Sequence, residues 1–402
     1  MHRSWLPILA LWLLGILAAA QFAKMSVIAP ILRSGFGLSL PQLGWLISLM
    51  EVGGAVFGLV SGLALARFGM RRFLLWGLAI LSAASLAEAF ATTAFLLFAA
   101  RAVEGIGYVL VVIAAPTAIA ATADNRLRPR ALALWSTFVP VGIAAGGAIT
   151  GLAAGMLGMR GVMLLWAVMI AAAVPVALRL PLADLPPARI RFPAPAAWIS
   201  TFGFGLYTIF ISAVTMLLPS FLIERCGATM GQAALVAGVA SLAVLPGAAA
   251  AMWLMRAGDI GMRRTLVFSA VALIPTVPLV LLLYGDASTE LLHIGTIAVL
   301  AVAISGLVSP LVFARLPLLA GASSSEDPRI ATANGLVTQF GAGGALIGPP
   351  AGGIIVSLWG WEALGAAAGG LVVAILAAVI ASEYIGRGVS GAAAGAAPIH
   401  IE

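Results

Sequence analysis

Twelve apolar runs, each long enough to cross a bilayer, divide this 402-residue chain. A transmembrane helix needs about 20 consecutive apolar residues. The runs lie at about 6–31, 41–65, 73–92, 95–118, 132–156, 161–180, 197–222, 231–255, 265–284, 291–314, 332–357 and 362–384. They predict an all-α polytopic membrane protein with twelve transmembrane helices, numbered here as spans 1 to 12.

The composition excludes a soluble domain and several kinds of site. Hydrophobic residues make up 62% of the chain and charged residues only 9%, whereas soluble domains carry about 25% charged residues. The net charge of +7 does not indicate nucleic-acid binding, because the basic residues lie in short loops without interleaved aromatic residues. One cysteine, Cys226, and three scattered histidines provide no disulfide framework and no metal-ligand spacing. We therefore expect neither a metal nor another cofactor.

The positions of the arginines predict the orientation, because cytoplasmic loops are enriched in Lys and Arg. With the N-terminus inside, fifteen arginines fall in cytoplasmic segments and three in outer segments. Both termini are therefore predicted on the cytoplasmic side of a bacterial inner membrane. The fifteen are Arg3, Arg67, Arg71, Arg72, Arg126, Arg128, Arg130, Arg179, Arg189, Arg191, Arg256, Arg263, Arg264, Arg329 and Arg387; the three are Arg33, Arg160 and Arg225.

An internal repeat divides the chain into two halves. The sequence Gly-Met-Arg-Arg follows span 2 at 69–72 and span 8 at 261–264, and glycines of span 5 recur in span 11 about 201 residues later. The proline-rich stretch between the halves is predicted to be a linker. We predict an N-terminal six-helix bundle at 1–180, a cytoplasmic linker at 181–195, a C-terminal six-helix bundle at 196–385 and a disordered cytoplasmic tail at 386–402.

The loop after span 2 reads GLALARFGMRR over residues 62–72. It resembles the G-x-L-a-D-r-x-G-r-r loop of the major facilitator superfamily (MFS). The resemblance implies two six-helix bundles, substrate bound between them near the midplane, and a loop that gates the cytoplasmic side. The acidic residue of the family motif is Ala66 here, so this copy lacks a residue that helps to latch that side. The candidate gating residues of both copies are Gly62, Arg67, Gly69, Arg71, Arg72, Asp259, Arg263 and Arg264.

Two further motifs resemble those of the same family. Span 4 carries Arg101, Gly105 and Gly107 in an R-x-x-x-G-x-G pattern, and the resemblance implies that Arg101 takes part in proton or substrate coupling. Span 11 carries a run similar to the antiporter motif, which the family has in span 5; helix packing explains it equally well. Its residues are Gly344, Gly348, Pro349 and Gly352. Spans 10 and 11 also weakly resemble the cyanate/nitroimidazole-type permease branch.

Four charged residues fall deep inside spans 1, 2 and 4, where ionisable groups are costly and mostly serve function. They are Lys24, Glu51, Arg101 and Glu104, and Glu51 lies deepest, at about 15 Å. Burial of an unpaired carboxylate favours its protonated form, which suits proton coupling. We expect the four to form one network. The alternatives are that Arg101 and Glu104 pair only with each other and that Lys24 extends to the outer interface.

Other polar residues are weaker candidates. Glu88 near the outer end of span 3 is expected to face lipid and extend to the interface. Arg315 is expected to anchor span 10 at the interface or to reach the cavity. The remaining residues expected to line the cavity are Gln21, Tyr207, Asn334 and Gln339.

These features predict a proton-coupled secondary transporter rather than an enzyme, since no nucleophile–base pair, phosphate-binding loop or metal cluster is present. Lys24 and Arg101 favour a small organic anion as substrate. The alternatives are efflux of an amphipathic drug by proton antiport and a membrane sensor on a transporter-like scaffold. The expected partners are a small-molecule substrate, protons and the lipid bilayer, with no nucleic acid, and the chain is expected to be a monomer. The fold does not fix the direction of transport.

Overall fold

The computed structural model describes residues 5–38, 40–182, 191–228, 230–256, 258, 260–285 and 288–395. Every regular element within these ranges is an α-helix. In chain order the helices are α1 (Trp5–Val27), α2 (Ala29–Phe36), α3 (Leu40–Phe68), α4 (Met70–Ala89), α5 (Ala94–Thr122), α6 (Arg128–Trp135), α7 (Phe138–Arg179), α8 (Pro195–Cys226), α9 (Met230–Leu242), α10 (Val244–Leu254), α11 (Gly261–Gly285), α12 (Leu291–Ser305), α13 (Val308–Leu319) and α14 (Pro328–Gly395).

The number of membrane crossings follows from the helix lengths. Ten helical stretches are long and apolar enough to span a bilayer, and two of them, with 42 and 60 residues, exceed one crossing, for which about 20 residues suffice. These two change direction at Gly158 (φ 61°) and Gly360 (φ 81°), in a left-handed conformation that residues with a Cβ rarely adopt. Each provides two crossings, so the prediction of an all-α fold with twelve transmembrane helices is confirmed.

Glycines bring the first and fifth helices of each bundle into close contact. A Cβ at Gly146 of α7 would lie 2.6 Å from the carbonyl oxygen of Ala20 in α1. A Cβ at Gly348 of α14 would lie 2.6 Å from the carbonyl oxygen of Ile209 in α8. Small residues permit such close helix contacts in membranes. Gly348 of the antiporter-like run therefore packs span 11 against span 7. In the first bundle, Gly146 packs span 5 against span 1 in the same way.

The two glycines of the span 4 motif have a similar packing role. Gly105 lies against Met50 of α3, where a Cβ would be 3.2 Å from the Met50 backbone. Gly107 lies against α4, where a Cβ would be 2.8 Å from the carbonyl oxygen of Gly77. Span 4 is thereby held between spans 2 and 3, in the interior of the first bundle.

The internal repeat is also visible in two arginines that follow spans 4 and 10. Arg128 donates from Nε to the carbonyl oxygen of Ala120, and Arg329 donates from Nη1 to the carbonyl oxygen of Gly321. Each acceptor lies eight residues before its donor. Arginine at the C-terminal end of a helix stabilises carbonyls that have no partner within the helix. Both halves thus end the corresponding span with the same device.

The two bundles meet where α6 of the first packs against α10 and α13 of the second, and along a seam formed by α3 and α5 of the first and α14 of the second. A Cβ at Gly58 would lie 2.6 Å from the carbonyl oxygen of Gly335, so the helix backbones are nearly in contact. The seam lies towards the side of the molecule that carries Arg67, Arg71 and Arg329, called here the arginine-rich side. We call this set the interbundle seam: Gly54, Gly58, Leu59, Gly62, Thr117, Ala331, Asn334, Gly335, Gln339 and Ala342.

Two polar bonds between described residues connect the bundles at the interbundle seam. Asn334 Nδ2 donates to Thr117 Oγ1 at 2.9 Å, and the backbone N–H of Leu59 donates to Gln339 Oε1 at 3.0 Å. Asn334 and Gln339 were predicted to line the cavity. In this conformation both hold the bundles together instead, and the protein is closed on its arginine-rich side.

The predicted linker and the predicted tail are each described only in part. Residues 183–190 of the predicted linker and 396–402 of the predicted tail lie outside the described part of the chain. Helix α14 continues to Gly395, so the prediction of a disordered tail from residue 386 is wrong for 386–395. Alanines at 392–394 favour continuation of a helix that is already formed, because propagation is easier than nucleation.

Widening the interbundle seam is expected to open the arginine-rich side. A Cβ at Gly62 would lie 2.6 Å from the carbonyl oxygen of Ala331, so Gly62→Val should force α3 away from α14. In a Cys226→Ser, Thr117→Cys background, we expect N-ethylmaleimide to label Cys at 117 about tenfold faster, which corresponds to about 1.4 kcal/mol.

The matched control for this change is Gly151→Val, because nothing lies within 4 Å of a Cβ added at Gly151. The control should leave the labelling rate unchanged. Equal rates in the Gly62 and Gly151 variants would contradict the role of the seam.

The hydrogen bonds of Asp327, just before α14, predict that the stability of the fold depends on pH. Burial raises the pKa of Asp327, but hydrogen bonds from Arg329 N, Ser323 N and Ser323 Oγ, with the nearby Arg329 charge, hold it below its usual 3.8. The carboxylate therefore stabilises the fold above about pH 4, and this contribution is lost as the pH falls through the folded-state value. Asp327→Asn should lower the thermal unfolding midpoint at pH 7, and the gap from the unchanged protein should shrink below about pH 4.

The neighbouring exposed Glu326 provides the control for this measurement. Glu326→Gln should give a small change at every pH. A gap for Asp327→Asn that does not depend on pH would show that the carboxylate charge is not what stabilises the helix start.

Candidate functional site

A cluster of charged side chains is buried inside the first bundle. Lys24, Glu88, Arg101 and Glu104 come from α1, α4 and α5, and each is 0% exposed. The Lys24 ammonium donates to Glu88 Oε2 at 2.5 Å, to Glu104 Oε1 at 2.6 Å and to Ser85 Oγ at 2.9 Å. These bonds use all three N–H donors of a lysine. We call these five residues the buried charge cluster.

Arg101 completes the cluster and ties it to one further helix, α3. Its Nη1 donates to Glu104 Oε2 at 2.5 Å and to the backbone carbonyl oxygen of Gln21 at 3.1 Å. Its Nε and Nη2 donate to the carbonyl oxygens of Leu46 and Ile47 at 3.2 and 3.4 Å. Four of its five N–H donors are therefore engaged. The two cations and two carboxylates balance, and the cluster joins α1, α3, α4 and α5.

Three of the four residues predicted to form a network are brought together. Lys24, Arg101 and Glu104 are in direct contact, so Arg101 and Glu104 do not pair only with each other. Lys24 does not extend to the interface. The fourth residue in contact is Glu88 rather than Glu51.

The expectation that Glu88 faces lipid and extends to the interface is wrong. Glu88 points into the bundle, where it pairs with Lys24. An ion pair with a buried cation is more favourable for a carboxylate than exposure to lipid. A signal for this existed in the sequence. Ser85 and Glu88 are three residues apart and so share a helix face, which makes that face the polar one of span 3.

Glu51 lies apart from the cluster and is partly exposed. Within the described residues it forms no hydrogen bond or ion pair, although Arg101 and Tyr108 are close enough to interact with its charge. It sits three residues from Gly54, which packs against Ala342 of the second bundle. Because residues three apart share a helix face, Glu51 lies on the side of α3 that faces the second bundle, just beyond the interbundle seam.

Two residues predicted to line the cavity are buried within their bundles. Gln21 is 0% exposed, and its Nε2 donates to the carbonyl oxygen of Leu17 at 3.1 Å. Tyr207 is 4% exposed and packs beside Phe204 and Phe210 at ring-centroid distances of 6.1 and 6.3 Å. In this conformation Phe204, Tyr207 and Phe210 of span 7 pack in the interior of the second bundle.

Arg315 forms a second buried ion pair, in the C-terminal bundle. Its Nε and Nη2 donate to Glu383 Oε1 and Oε2 at 2.8 and 2.6 Å, a bidentate geometry that is strong and specific. Both residues are below 5% exposed, so Arg315 does not act as an exposed interfacial anchor in this conformation, and its role as a cavity residue stays a prediction. The pair joins spans 10 and 12. Glu383 is not evident as a partner from the sequence, because it lies at the end of span 12, where contact with water is equally reasonable.

In the part of the chain that the structure describes, Arg67 and Arg71 of the gating loop contact groups of the first bundle. Arg71 donates to the carbonyl oxygens of Leu178 and Leu180 at 2.7 and 3.1 Å, which ends span 6. Arg67 lies over the Phe68 ring at 5.9 Å, and Gly69 has φ 86°, which permits the turn between spans 2 and 3. Arg72, Arg263 and Arg264 are exposed, and Asp259 lies outside the described part of the chain.

The balance of the buried charge cluster predicts how charge-removing variants behave. Lys24→Met leaves Glu88 and Glu104 buried with Arg101 as their only cation, so we expect a loss of stability of about 3–5 kcal/mol. The double variant Lys24→Met, Glu88→Gln restores neutrality and should unfold at a higher temperature than Lys24→Met alone. Thermal unfolding of the purified variants checks both.

A control for this comparison is Glu290→Gln, because Glu290 precedes α12 in an exposed position. Added to Lys24→Met, it should not restore stability. A double variant with Glu88→Gln that is no more stable than Lys24→Met would show that charge balance does not hold the cluster together.

Comparison with known proteins relates this chain to one family and to several characterised proteins. A family model described as Major Facilitator Superfamily matches residues 11–326. The methyl viologen resistance protein SmvA of Salmonella typhimurium is 33% identical over 153 residues, which are 38% of this chain and 31% of that protein. The methylenomycin A resistance protein of Streptomyces coelicolor is 28% identical over 37% of this chain and 32% of its own length. The arabinose-proton symporter of Escherichia coli is 27% identical over 32% of this chain and 27% of its own length. The matches thus span about a third of these relatives.

Solved structures share the whole fold at low identity. The human organic anion transporter MFSD10 superposes with a TM-score of 0.71 and 17% identity, covering 94% of this chain and 99% of that one. FucP in the outward conformation gives a TM-score of 0.72 and 16% identity, over 94% and 98%. With the family match over most of its length and the twelve-helix fold, this chain belongs to the Major Facilitator Superfamily.

Proposed function

We propose that this transporter exports an organic cation in exchange for protons, and that Glu51 binds the two in turn. The position of Glu51 is the observation that carries the proposal. Its carboxylate lies deep in span 2, is partly exposed and faces the second bundle. A single carboxylate is neutralised either by a proton or by a cation. Exchange at such a group is competitive, which is the simplest physical basis for antiport.

The hydrogen bonds and the burial of Lys24 and Arg101 argue against a small anion as substrate. All three donors of Lys24 and four of the five donors of Arg101 are engaged, and both side chains are 0% exposed. An anion would have to displace Glu104 or Glu88 from buried ion pairs. The sequence expectation of an anionic substrate therefore gives way here to its alternative, efflux.

The interbundle seam and the arginine distribution support a direction for this exchange. The arginine-rich side is the cytoplasmic side by the rule that cytoplasmic loops are enriched in Lys and Arg, with both termini inside a bacterial inner membrane. In the conformation described, this side is closed, so Glu51 communicates with the outside and takes up a proton. Opening of the seam exposes Glu51 to the cytoplasm, where a cation replaces the proton. The chain acts as a monomer, with each cycle completed by its own two bundles.

The similarity to drug-resistance proteins supports a choice of first substrate. SmvA is named for methyl viologen resistance, and methyl viologen is an organic dication. Cells that express this chain should tolerate more methyl viologen than cells without it, as measured by the minimum inhibitory concentration. No change for methyl viologen or for a panel of cationic drugs would count against export.

Glu51→Gln should separate coupling from substrate movement. Glutamine keeps the shape of the side chain but cannot release a proton. In proteoliposomes we expect transport driven by a pH gradient to fall at least about tenfold, whereas the exchange of labelled for unlabelled substrate should continue at a measurable rate.

The control for the Glu51 variant is Glu224→Gln, at an exposed position near the end of α8. It should leave both kinds of transport unchanged. Proton-driven transport that survives in Glu51→Gln would remove the coupling role of Glu51.

A further inference from the structure

A groove runs along the surface of the first bundle between spans 1, 5 and 6, with a volume of about 300 Å³. Its lining includes Leu13, Leu17, Ala145, Ile149, Met169 and Val176, and we call it the apolar groove. Leu13 and Val176 are 56% and 45% exposed, so the groove opens on the outside of the bundle. The N–H of Trp166, which also lines it, donates to Thr150 Oγ1. The groove therefore offers only hydrocarbon contacts, and in a bilayer it faces lipid chains.

The length of the apolar groove matches one leaflet of a bilayer. Its lining runs from Ala10 to Ala20 along α1 and from Trp166 to Val176 along α7, about 15 Å in each case. The hydrocarbon core of a bilayer is about 30 Å thick, so one leaflet accounts for about half of it. The Val176 end lies towards the arginine-rich side, where α7 ends at Arg179. The groove thus has the length of a lipid chain in the leaflet on that side.

Two arginines lie on the lining spans at that end of the groove. Arg179 is exposed and follows Val176 by three residues, so the two share a helix face. Arg130 lies in α6, where span 5 begins, and its guanidinium lies over the Trp5 ring at 5.6 Å. Tryptophan is enriched at the level of the lipid headgroups. The arginines are therefore placed where the headgroup of a lipid in the groove would lie.

The Arg130 guanidinium has a buried donor that lacks an acceptor. Its Nε is inaccessible to solvent and forms no hydrogen bond within the described part of the chain. Buried polar atoms without a partner are uncommon and call for an explanation. A guanidinium binds phosphate through two parallel N–H bonds, so a lipid phosphate at Arg130 supplies the missing acceptor.

The surrounding charge favours an anion. Asp124 is the one acidic residue between positions 105 and 182, against five arginines. Its Oδ1 accepts bonds from the backbone N–H groups of Arg126 and Leu127. Basic pockets between membrane helices on the cytoplasmic side are suited to anionic headgroups. Because lipid tails are as apolar as leucine, the groove alone does not discriminate among lipids, and the arginines provide the preference.

We propose that the apolar groove binds one anionic phospholipid, with an acyl chain along spans 1, 5 and 6 and the phosphate at Arg130 and Arg179. The lipid joins three spans of the first bundle on the arginine-rich side. The inference goes beyond the proposed function and shares with it only the assignment of that side to the cytoplasm, which places the lipid in the cytoplasmic leaflet.

Native mass spectrometry of the purified full chain in a neutral detergent tests this binding. Phosphatidylglycerol and phosphatidylcholine with identical acyl chains are added in equal amounts. Each arginine near the membrane surface favours an anionic lipid about fivefold. We therefore expect one bound phosphatidylglycerol, preferred over phosphatidylcholine at least about tenfold.

Arginine variants test the headgroup site. Arg130→Gln combined with Arg179→Gln should abolish the preference for phosphatidylglycerol. The control is Arg160→Gln, because Arg160 is an exposed arginine of the same helix α7 that lies at the other end of span 6. It should leave the preference unchanged.

A second pair of variants tests the groove. Ala173 belongs to its lining, whereas the neighbouring Ala172 is exposed and does not. Ala173→Phe should lower the occupancy of phosphatidylglycerol at least about tenfold, because the ring fills the space of the chain, and Ala172→Phe should not. Thermal unfolding shows whether each variant is folded; if Ala173→Phe is not, the arginine variants decide.

Several results would overturn the inference. They are equal binding of the two lipids, a preference that survives in the double arginine variant, a folded Ala173→Phe protein that binds as before, and glycerol phosphate that binds as tightly as the lipid. A dimer that Ala173→Phe dissociates would assign the groove to a second copy of the chain and would also overturn it. Glu51→Gln should bind phosphatidylglycerol as the unchanged protein does, so loss of proton-driven transport in that variant and loss of lipid binding are separate outcomes.

Discussion

Two cations and two carboxylates meet without solvent inside the first bundle, and the arrangement of that bundle depends on their balance. A charge at the centre of a membrane helix costs at least about 2.5–3.5 kcal/mol, so Lys24, Glu88, Arg101 and Glu104 are tolerable only together. Their contacts fix the positions of α1, α4 and α5, and the bonds from Arg101 to backbone carbonyls add α3. The glycines at 105 and 107 let these helices come close enough for the contacts to form.

The neutral cluster and the lone carboxylate have different roles in the proposed cycle. A cluster with every strong donor engaged is stable in place and holds one bundle together as a rigid unit. Glu51, three residues from the interbundle seam, lies where the two bundles separate. The seam itself is held by backbone contact at glycines and by two neutral hydrogen bonds, and neutral bonds are weaker than charge-assisted ones. Among the described residues, the charge-assisted bonds of the buried charge cluster and of Arg315 lie within a bundle, whereas the two bonds across the interbundle seam are neutral, which suits a transporter that rocks between two states.

The sequence predicts the fold well because its strongest signals are local. Apolar runs of about 20 residues identify spans, and the recurrence of Gly-Met-Arg-Arg identifies the halves. The partners of buried charges are less predictable, because they depend on which face of each helix points inward. Glu88 and Glu383 show this. Both lie near the ends of spans, where contact with water looks equally reasonable, and only the positions of Lys24 and Arg315 across the bundle decide the matter. The roles of Asn334 and Gln339 depend on the conformational state, which one sequence does not specify.

Infrared difference spectroscopy of the purified protein, with and without methyl viologen, tests whether one carboxylate binds proton and substrate in turn. At a pH where Glu51 is protonated, we expect the C=O band of a protonated carboxyl group to decrease when the substrate is added. The band should be absent from the spectrum of Glu51→Gln and present in that of Glu224→Gln. A decrease that persists in Glu51→Gln, or a substrate that binds without any change in this band, would contradict the account.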